Sequence, residues 1–511
     1  MLIYVYIRFF ILLLSFVLIM IILSFSSFFL SFKWFSFVYG WELEFFFSKW
    51  TLLFFFVVLF ISLIVIFFSF SYIRVYPIKK FLILYVLFVF RIGWLIIVSN
   101  FYWIILGWDG LGVVSFLLIC YYQNYESNSN ALFTLFQNRI GDFFFIVFLV
   151  LILSGGHYQH NYLPIARIFL ILGARVKRAQ YPFNSWLLAA IRAPTPISSL
   201  VHSSTLVVAG VYILLQYSYC LLEYIPLVFI LSMITLVYRL FGLLYETDIK
   251  KLIAYSTIRH VGLIILFFSQ ILFKITYFHL VVHAIFKSII FMCFGFCILV
   301  SYHAQDFRLV SYRGFYPWVK FFYYYACVCI IGIPFLSAFF SKDYMLEKLI
   351  EFSGKSLIMV VLLLLFLGVR VFYRLRLLLL HRNLYVIRFQ NSITFGGVRL
   401  RGIVLLRIWV MNLFVSLLFR ITLEYLMIKI FIYYMIIMFV IVFLLLKRFK
   451  KWFRFEKFIW FKEIFFLHFN FLDIYVYRII NDFVRYTSQL FRVKLIVLAN
   501  WWVIFLVLFF F

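Results

Sequence analysis

Residues 101–122 read FYWIILGWDGLGVVSFLLICYY, and this stretch decides the fold class. It contains a single charged residue, Asp109, with apolar residues on both sides. An apolar run of about 20 residues is long enough to cross a bilayer as an α-helix. Backbone groups in lipid must find their hydrogen bonds within their own segment, which a helix provides. The stretch is therefore predicted to be a transmembrane helix with a carboxylate in its interior.

The rest of the chain has the same character. Its 511 residues are 67% hydrophobic and 12% charged, with a mean hydropathy of +1.14. A soluble protein of this length needs far more polar residues to cover its surface. Apolar runs recur from end to end, and among them we count about fourteen to sixteen spans. The sequence therefore predicts an all-α polytopic membrane protein.

The remaining composition limits the partners and the location of the chain. The net charge of +29 is spread singly between apolar runs, which favours contact with membrane lipid over nucleic acid. The six cysteines lack further ligands at metal-binding spacing, so a structural role is expected. The N-terminus reads as a membrane helix and not as a transit peptide. Together with the 74 phenylalanines, this favours synthesis from an organelle genome beside the membrane.

Two segments have the pattern of discontinuous helices. Residues 172–190 contain Lys177 shortly before Pro182, and residues 330–349 contain Pro334 shortly before a second lysine. Proline breaks a membrane helix, and the freed carbonyl groups are tolerated where they line a hydrated cavity. A broken helix with a lysine in each half is typical of a duplicated, inverted-repeat transporter core. Two unrelated proline kinks would give the same pattern.

Ionisable residues at membrane depth are functional candidates because an uncompensated charge there is costly. Asp109 and Lys177 are the first such candidates. Burial favours the neutral form of both groups, whereas pairing favours the charged forms. A pair of these two residues is therefore expected to exchange a proton, although a static buried salt bridge would use the same residues.

The segment 278–296, FHLVVHAIFKSIIFMCFGF, carries His279, His283 and Lys287 at a spacing of four residues. Residues at this spacing share one face of a helix, about 6 Å apart along its axis. Metal or haem ligation would need further ligands on other segments. A structural histidine pair is the second interpretation. A proton relay is the third, and the lysine on the same face favours it.

Two further sites are candidates by their position. His202 follows the sequence PTP closely and precedes a serine- and threonine-rich turn, so it is expected near a broken helix end. Lys342 and Asp343 are adjacent and precede a predicted helix, where an acid interacts favourably with the helix dipole. That pair is also consistent with ordinary capping.

Several motifs occur in an order that resembles the family of mitochondrial NADH dehydrogenase subunit 5, an antiporter-like proton-pumping family. The resemblance is dense over residues 100–345 and elsewhere extends only to hydropathy. The motifs are GWDGLGVVSF (107–116), QNRIGD (137–142), KRAQYPFNSW (177–186), APTPISSLVHSSTLVVAGVY (193–212), TDIKKLIAYST (247–257), HLVVHAIFKS (279–288) and PFLSAFFSKD (334–343).

The resemblance implies two inverted repeats with broken helices, a lateral helix and a terminal membrane anchor. It also implies a subunit of respiratory complex I that contacts a neighbouring antiporter-like subunit and binds no cofactor. NADH, FMN, iron–sulfur clusters and ubiquinone would then belong to partner subunits. The expected organisation is N-terminal transmembrane helices at 1–99, the proton-translocating core at 100–370, C-terminal transmembrane helices at 371–446, the lateral amphipathic helix at 447–490 and the anchor at 491–511.

The resemblance also assigns roles to the candidate residues. Asp109 stands where the family has a glutamate and is implied to modulate Lys177, over a longer distance than glutamate would need. The residues from His279 to Lys287 are implied to relay protons laterally. Lys342 is implied to be the exit-side lysine, and it favours subunit 5 over its sister subunit 4. The residues that match the proton path are Lys177, His202, His279, His283, Lys287 and Lys342.

Several arginines stand at positions where a charge is costly and acids are scarce. Arg178 and Arg259 replace serines of the family motifs K-S-A-Q and S-T-L-S-Q. We hypothesise that some arginines are serines in the organism, because several invertebrate mitochondrial codes read AGA and AGG as serine. True arginines held by hydrogen bonds are the alternative. The positions concerned are Arg91, Arg178, Arg192, Arg239, Arg259 and Arg370.

A function in complex I has one rival of a different class. A cation/proton antiporter subunit would have the same core and no link to NADH. The basic and aromatic stretch 447–462 and the short loops favour complex I. A structural scaffold would not need buried lysines and histidines.

Overall fold

The structure is a computed structural model. It describes residues 28–32, 43–73, 78–155, 163–246, 248–300, 305–306, 317–331 and 341. The predicted C-terminal helices, lateral helix and anchor lie outside these residues. So do Lys342, Asp343, Pro334 and Arg370.

The described chain is built mainly of helices. A strand pair, β1 (Phe28–Phe32) and β2 (Leu43–Phe47), precedes them. The helices are α1 (Lys49–Tyr72), α2 (Ile78–Ile97), α3 (Phe101–Ile119), α4 (Tyr125–Gly155), α5 (Leu163–Lys177), α6 (Ser185–Ala190), α7 (Thr195–Ile197), α8 (Leu206–Gln216), α9 (Ile225–Tyr245), α10 (Ile249–Phe268), α11 (Phe273–Val300) and α12 (Pro317–Ile331). A π-helical turn, Ser198–Thr205, joins α7 to α8, and 3₁₀ turns lie at Cys120–Tyr122 and Ser218–Tyr224.

Eight helices of the described part are long and apolar enough to cross a membrane. They are Trp50–Phe70, Ile78–Ile97, Phe101–Tyr122, Tyr125–Ile152, Thr195–Gln216, Leu221–Arg239, Ile249–Phe268 and Phe273–Leu299. The prediction of a helical polytopic membrane protein is confirmed. The total of about fourteen to sixteen spans concerns the whole chain and stays a prediction.

One segment near the N-terminus differs from the expectation. Residues 28–31 belong to an apolar run, 2–31, that predicts a membrane helix, but Phe28–Phe32 forms a strand antiparallel to Leu43–Phe47. Aromatic residues fit a strand as well as a helix, so the run does not distinguish the two. Ser48 then ends the strand and caps α1, because its hydroxyl accepts a hydrogen bond from the Thr51 N–H at 3.1 Å.

The first predicted helix break is confirmed. Helix α5 ends at Lys177, Ala179 has a φ of 52°, and Pro182 follows a cis peptide bond before α6 begins at Ser185. The Trp186 indole N–H donates to the Val176 carbonyl at 2.9 Å and so accepts one of the groups that the break frees. The break places the Lys177 side chain among α3, α4 and α5.

The centre of the described bundle is the antiparallel pair of α10 and α11, joined by residues 269–272. Almost every side chain of α10 is buried, and so is the spanning part of α11. Helices α2, α4 and α9 lie outside and expose apolar side chains. A helix that is apolar and buried all round suits the centre of a membrane bundle, where its polar residues are shielded from lipid.

Candidate functional site

Lys177 lies in a closed pocket between α3 and α4. Its side chain is 2% exposed, and Nζ is 3.4 Å from Asp142 Oδ1. Nζ also donates to the Trp108 carbonyl at 3.0 Å and lies 5.0 Å from the centre of the Trp108 ring. Gly112 makes room for the ammonium group, since a Cβ at that position would lie 3.3 Å from Nζ. The charge is thus held by one carboxylate, one carbonyl and one aromatic face.

Asp109 does not pair with Lys177, contrary to the expected contact. Its carboxylate forms an ion pair with Arg139 of α4, and its side chain is 38% exposed. The helix geometry explains this difference. Trp108 and Gly112 share the face of α3 that contacts Lys177, whereas Asp109 lies about 100° around the helix from Trp108 and about 60° from Gly112, on the other side. The aspartate points to the outside of the bundle.

Asp142 is the functional candidate that the sequence reading did not single out. Its side chain is 8% exposed. Oδ2 of Asp142 lies 3.6 Å from Nη1 of Arg139, the residue that also pairs with Asp109. The sequence did contain a signal for this residue, because a carboxylate stands directly before the apolar run 143–152. Asp109, Arg139, Asp142 and Lys177 therefore form one chain of alternating charges, named here the Lys177 cluster.

His279, His283 and Lys287 share one buried face of α11, as their spacing predicts. The Lys287 ammonium group donates to the Ser256 hydroxyl of α10. At the other end, the His279 ring Nδ1 is 2.9 Å from Ser341 Oγ. We name these three residues of α11 the histidine file.

His260 of α10 joins this file across the helix pair. Its ring centre is 5.5 Å from that of His283 and 6.4 Å from that of His279. The sequence signal was available, because His260 follows Ser256 by one helical turn. It was missed because sequence spacing within one helix does not reveal which residues of another helix face it.

The other predicted site residues are described only in part. The backbone of His202 lies in the π-helical turn Ser198–Thr205, which packs against α11. Such π-helical turns are frequent at functional sites. Lys342 and Asp343 lie outside the described residues, although Ser341, which precedes them, contacts His279.

The described residues contain no group of three or more His, Cys, Asp or Glu side chains arranged to hold a metal ion. Cys293, Cys297, Cys327 and Cys329 are buried. The candidate site in the described part of the chain is therefore a row of protonatable and charged groups inside an apolar bundle.

The anomalous arginines divide into two groups. Arg178, Arg239 and Arg259 are fully buried. The Arg178 Nε donates to the Ala174 carbonyl at 2.8 Å, and the Arg239 guanidinium group lies 4.8 Å and 4.7 Å from the rings of Tyr238 and Tyr255. In contrast, Arg91 and Arg192 are partly exposed, and Arg192 forms an ion pair with Glu126.

The fold and these buried charges define a polytopic helical membrane protein with ionisable groups along its interior. The profile of the family described as NADH:quinone oxidoreductase/Mrp antiporter, transmembrane, matches residues 98–368. The chain belongs to this family.

Curated relatives carry the name NADH-ubiquinone oxidoreductase chain 5. The relative from Locusta migratoria is 40% identical over 256 residues, which cover 48% of this chain and 45% of the relative. The relative from Mytilus edulis is 43% identical over 255 residues (48% and 44%), and that from Caenorhabditis elegans is 39% identical over 249 residues (48% and 47%). The chain spans about half the length of the curated relatives it matches.

Two solved structures share the fold. A chain of the membrane-bound sulfane sulfur reductase, an archaeal respiratory membrane complex, has a TM-score of 0.70 at 20% identity, covering 81% of this chain and 90% of that chain. A chain of the Mrp complex from Dietzia sp. DQ12-45-1b has a TM-score of 0.67 at 20% identity, covering 77% of this chain and 46% of that chain. At this identity the likeness concerns the fold alone.

Asp142→Asn should destabilise the protein by about 3–5 kcal/mol, because it leaves the buried Lys177 ammonium group without its carboxylate. Asp109→Asn is the matched control and should cost about 0–1 kcal/mol, since that ion pair is partly exposed. The thermal midpoint of the purified protein in detergent measures both. Equal losses for the two variants would contradict the assignment of Asp142 as the counterion of Lys177.

The serine hypothesis predicts that protein isolated from the organism contains serine at positions 178 and 259. Both positions are fully buried, where a small hydroxyl side chain is easier to accommodate than a guanidinium group. Tandem mass spectrometry of the peptides that span these positions measures the residue directly. An arginine mass at both positions would refute the hypothesis.

Proposed function

We propose that this chain is a core membrane-arm subunit of respiratory complex I, the NADH:ubiquinone oxidoreductase of the mitochondrial inner membrane. In this role it translocates protons across the membrane, and the work is driven by electron transfer from NADH to ubiquinone. The names of the curated relatives support the assignment. The chain contributes to the activity of the whole complex, while FMN, the iron–sulfur clusters and the sites for NADH and ubiquinone belong to partner subunits.

The observation that carries the proposal is the Lys177 cluster. A lysine and an aspartate, each more than nine-tenths buried, face each other at 3.4 Å inside an apolar bundle. Ionisable residues at such depth mark ion or proton pathways, because a purely structural role is served more cheaply by apolar packing. The pair can exist as two charges or as two neutral groups, and the change between these states moves one proton.

Arg139 gives the cluster a means of control. It pairs with Asp109 and is also 3.6 Å from Asp142, so Lys177 and Arg139 compete for the same carboxylate. When Arg139 is held by Asp109, the carboxylate of Asp142 stabilises a charged Lys177. When Arg139 turns to Asp142, its guanidinium group favours the ionised carboxylate, so Asp142 no longer takes the proton of Lys177 to form the neutral pair. Asp109 would thus modulate Lys177 through Arg139 rather than by direct contact.

The histidine file provides the continuation of the path. Lys287, His283 and His279 follow one another along α11, and His279 reaches Ser341 next to the proposed exit residues Lys342 and Asp343. Imidazole groups accept and release protons near neutral pH, which suits a relay between lysines. The π-helical turn that contains His202 packs against α11 and would supply a further group to the path.

Lys177→Ala should abolish or strongly reduce proton pumping by the complex while its flavin and iron–sulfur content stays normal, because the redox centres lie elsewhere. NADH-driven acidification of proteoliposomes measures pumping. Lys251→Ala is the control, since Lys251 is a partly exposed lysine paired with Asp248 at 2.8 Å. Full pumping by the Lys177 variant would remove this lysine from the path.

The same purification tests the assignment to complex I. Flavin and iron–sulfur subunits should accompany the chain. If the chain is isolated with antiporter subunits and without redox cofactors, the cation/proton antiporter alternative replaces complex I.

One outer face of the bundle supports a neighbouring membrane subunit as partner. The ion pair of Asp109 and Arg139 lies within candidate spans, with side chains 38% and 45% exposed. Charges facing lipid at this depth are costly, so protein is expected to cover them. Around them α4 exposes apolar side chains, including Phe143, one turn from Arg139. We infer that the neighbouring antiporter-like subunit packs on this face of α3 and α4.

Cysteine cross-linking tests this interface. Phe143→Cys should cross-link to the neighbouring subunit in the intact complex, because Phe143 is 60% exposed beside the charged pair. Ile230→Cys on α9 should not, although Ile230 is 58% exposed, because its surroundings, including Ile234 and Val237, are apolar and suit lipid. Gel mobility after treatment with a bifunctional maleimide measures both. Cross-linking from position 230 alone would place the interface on the other face.

A further inference from the structure

His260 and Ser256 of α10 lie opposite the histidine file in a regular register. Ser256 contacts Lys287 and His260 lies 5.5 Å from His283, so both pairs follow the same antiparallel pairing of α10 with α11. Each step along either helix is one turn, about 6 Å. Two rows of proton-handling groups therefore run side by side, one on each helix.

The two rows meet at both ends. At one end, the Lys287 ammonium group donates to the Ser256 hydroxyl, whose own hydrogen is donated to the Ile253 carbonyl at 2.6 Å. At the other end, the His260 ring lies 6.4 Å from that of His279, which is bonded to Ser341. Two imidazoles joined by an N–H···N bond have ring centres about 5 Å apart. The observed separations of 5.5 Å and 6.4 Å exceed that distance and fit a link through one water molecule.

We propose that Ser256 and His260 form a second proton route between Lys287 and His279, parallel to the route through His283. Lys287 gives a proton to the Ser256 oxygen, the hydroxyl proton of Ser256 moves to His260 through one water, and His260 passes a proton to His279. Over the whole transfer Lys287 loses one proton and His279 gains one. Ser256 and His260 end with the number of protons with which they began. The inference rests on the proposed function of the histidine file.

The residue types support a relay over simple packing. A buried imidazole such as that of His260 can bind and release a proton near neutral pH, whereas the amide of a glutamine in its place would bind none. Thr257, the next residue after Ser256, is equally buried, and its hydroxyl, like that of Ser256, donates to a carbonyl of its own helix, that of Ala254 at 2.7 Å. It lies about 100° around α10 from Ser256 and serves as a matched control.

A double-mutant cycle on the assembled complex tests the second route. NADH-driven proton uptake by proteoliposomes is measured for His283→Gln, His260→Gln and the double variant. Parallel routes predict that each single variant keeps substantial pumping. If the two single variants acted independently, the pumping rate of the double variant would be the product of their residual fractions of the wild-type rate. Parallel routes predict a rate about threefold or more below that product, because each route can replace the other. Ser256→Ala should give the same result as His260→Gln when combined with His283→Gln. For Thr257→Ala combined with His283→Gln, the residual pumping rate should equal the product of the two single-variant factors.

The outcomes separate this inference from the proposed function. If His283→Gln alone abolishes pumping, or if the double variant equals the product or one single variant, the second route is refuted while the histidine file stands. If all variants pump at the wild-type rate, the file itself carries no protons and the proposed path fails too. Flavin and iron–sulfur content confirms assembly, and the Ser256→Ala cycle decides the matter if His260→Gln does not assemble.

Discussion

A charge inside a membrane must be compensated within the protein, and the arrangement of this bundle follows from that constraint. Lys177 is accommodated because a helix break brings it to a carboxylate, a carbonyl group and an aromatic ring at once. Lys287 is accommodated because the Ser256 hydroxyl of the neighbouring helix accepts a hydrogen bond from its ammonium group. In both places the compensating group is close enough to take part in proton exchange. Under the proposed function, the contacts that stabilise these charges would also conduct protons.

The constraint also separates the interior of the bundle from its surface. Polar groups of α10 and α11 are enclosed by other helices, whereas α9 exposes only apolar side chains around Ile230. The pair of Asp109 and Arg139 on α3 and α4 is partly exposed within candidate spans. An exposed charge within a span is costly in lipid, and the proposed neighbouring subunit would cover this pair beside the Lys177 cluster. A change at that interface would reach Lys177 through Arg139 and Asp142.

Sequence reasoning succeeded where one helix suffices for the inference. The run 101–122 identifies a membrane protein by length and polarity, Pro182 identifies a helix break, and the spacing of His279 and His283 places them on one face. It failed where the rotation of one helix relative to another determines which side chains are in contact. Asp142 instead of Asp109 contacts Lys177, because Trp108 and Gly112 define the inner face of α3. His260 was missed for the same reason, and the aromatic run at 28–32 was read as a helix because aromatic residues suit both structures.

Protons are proposed to move through the buried Lys177 cluster during turnover. Infrared difference spectroscopy of the complex, with and without NADH, measures the protonation of buried carboxyl groups directly. The account predicts a carboxylic-acid C=O band that appears on turnover, shifts in deuterium oxide and disappears in the Asp142→Asn variant. A spectrum in which pumping proceeds without any band attributable to Asp142 would contradict the account.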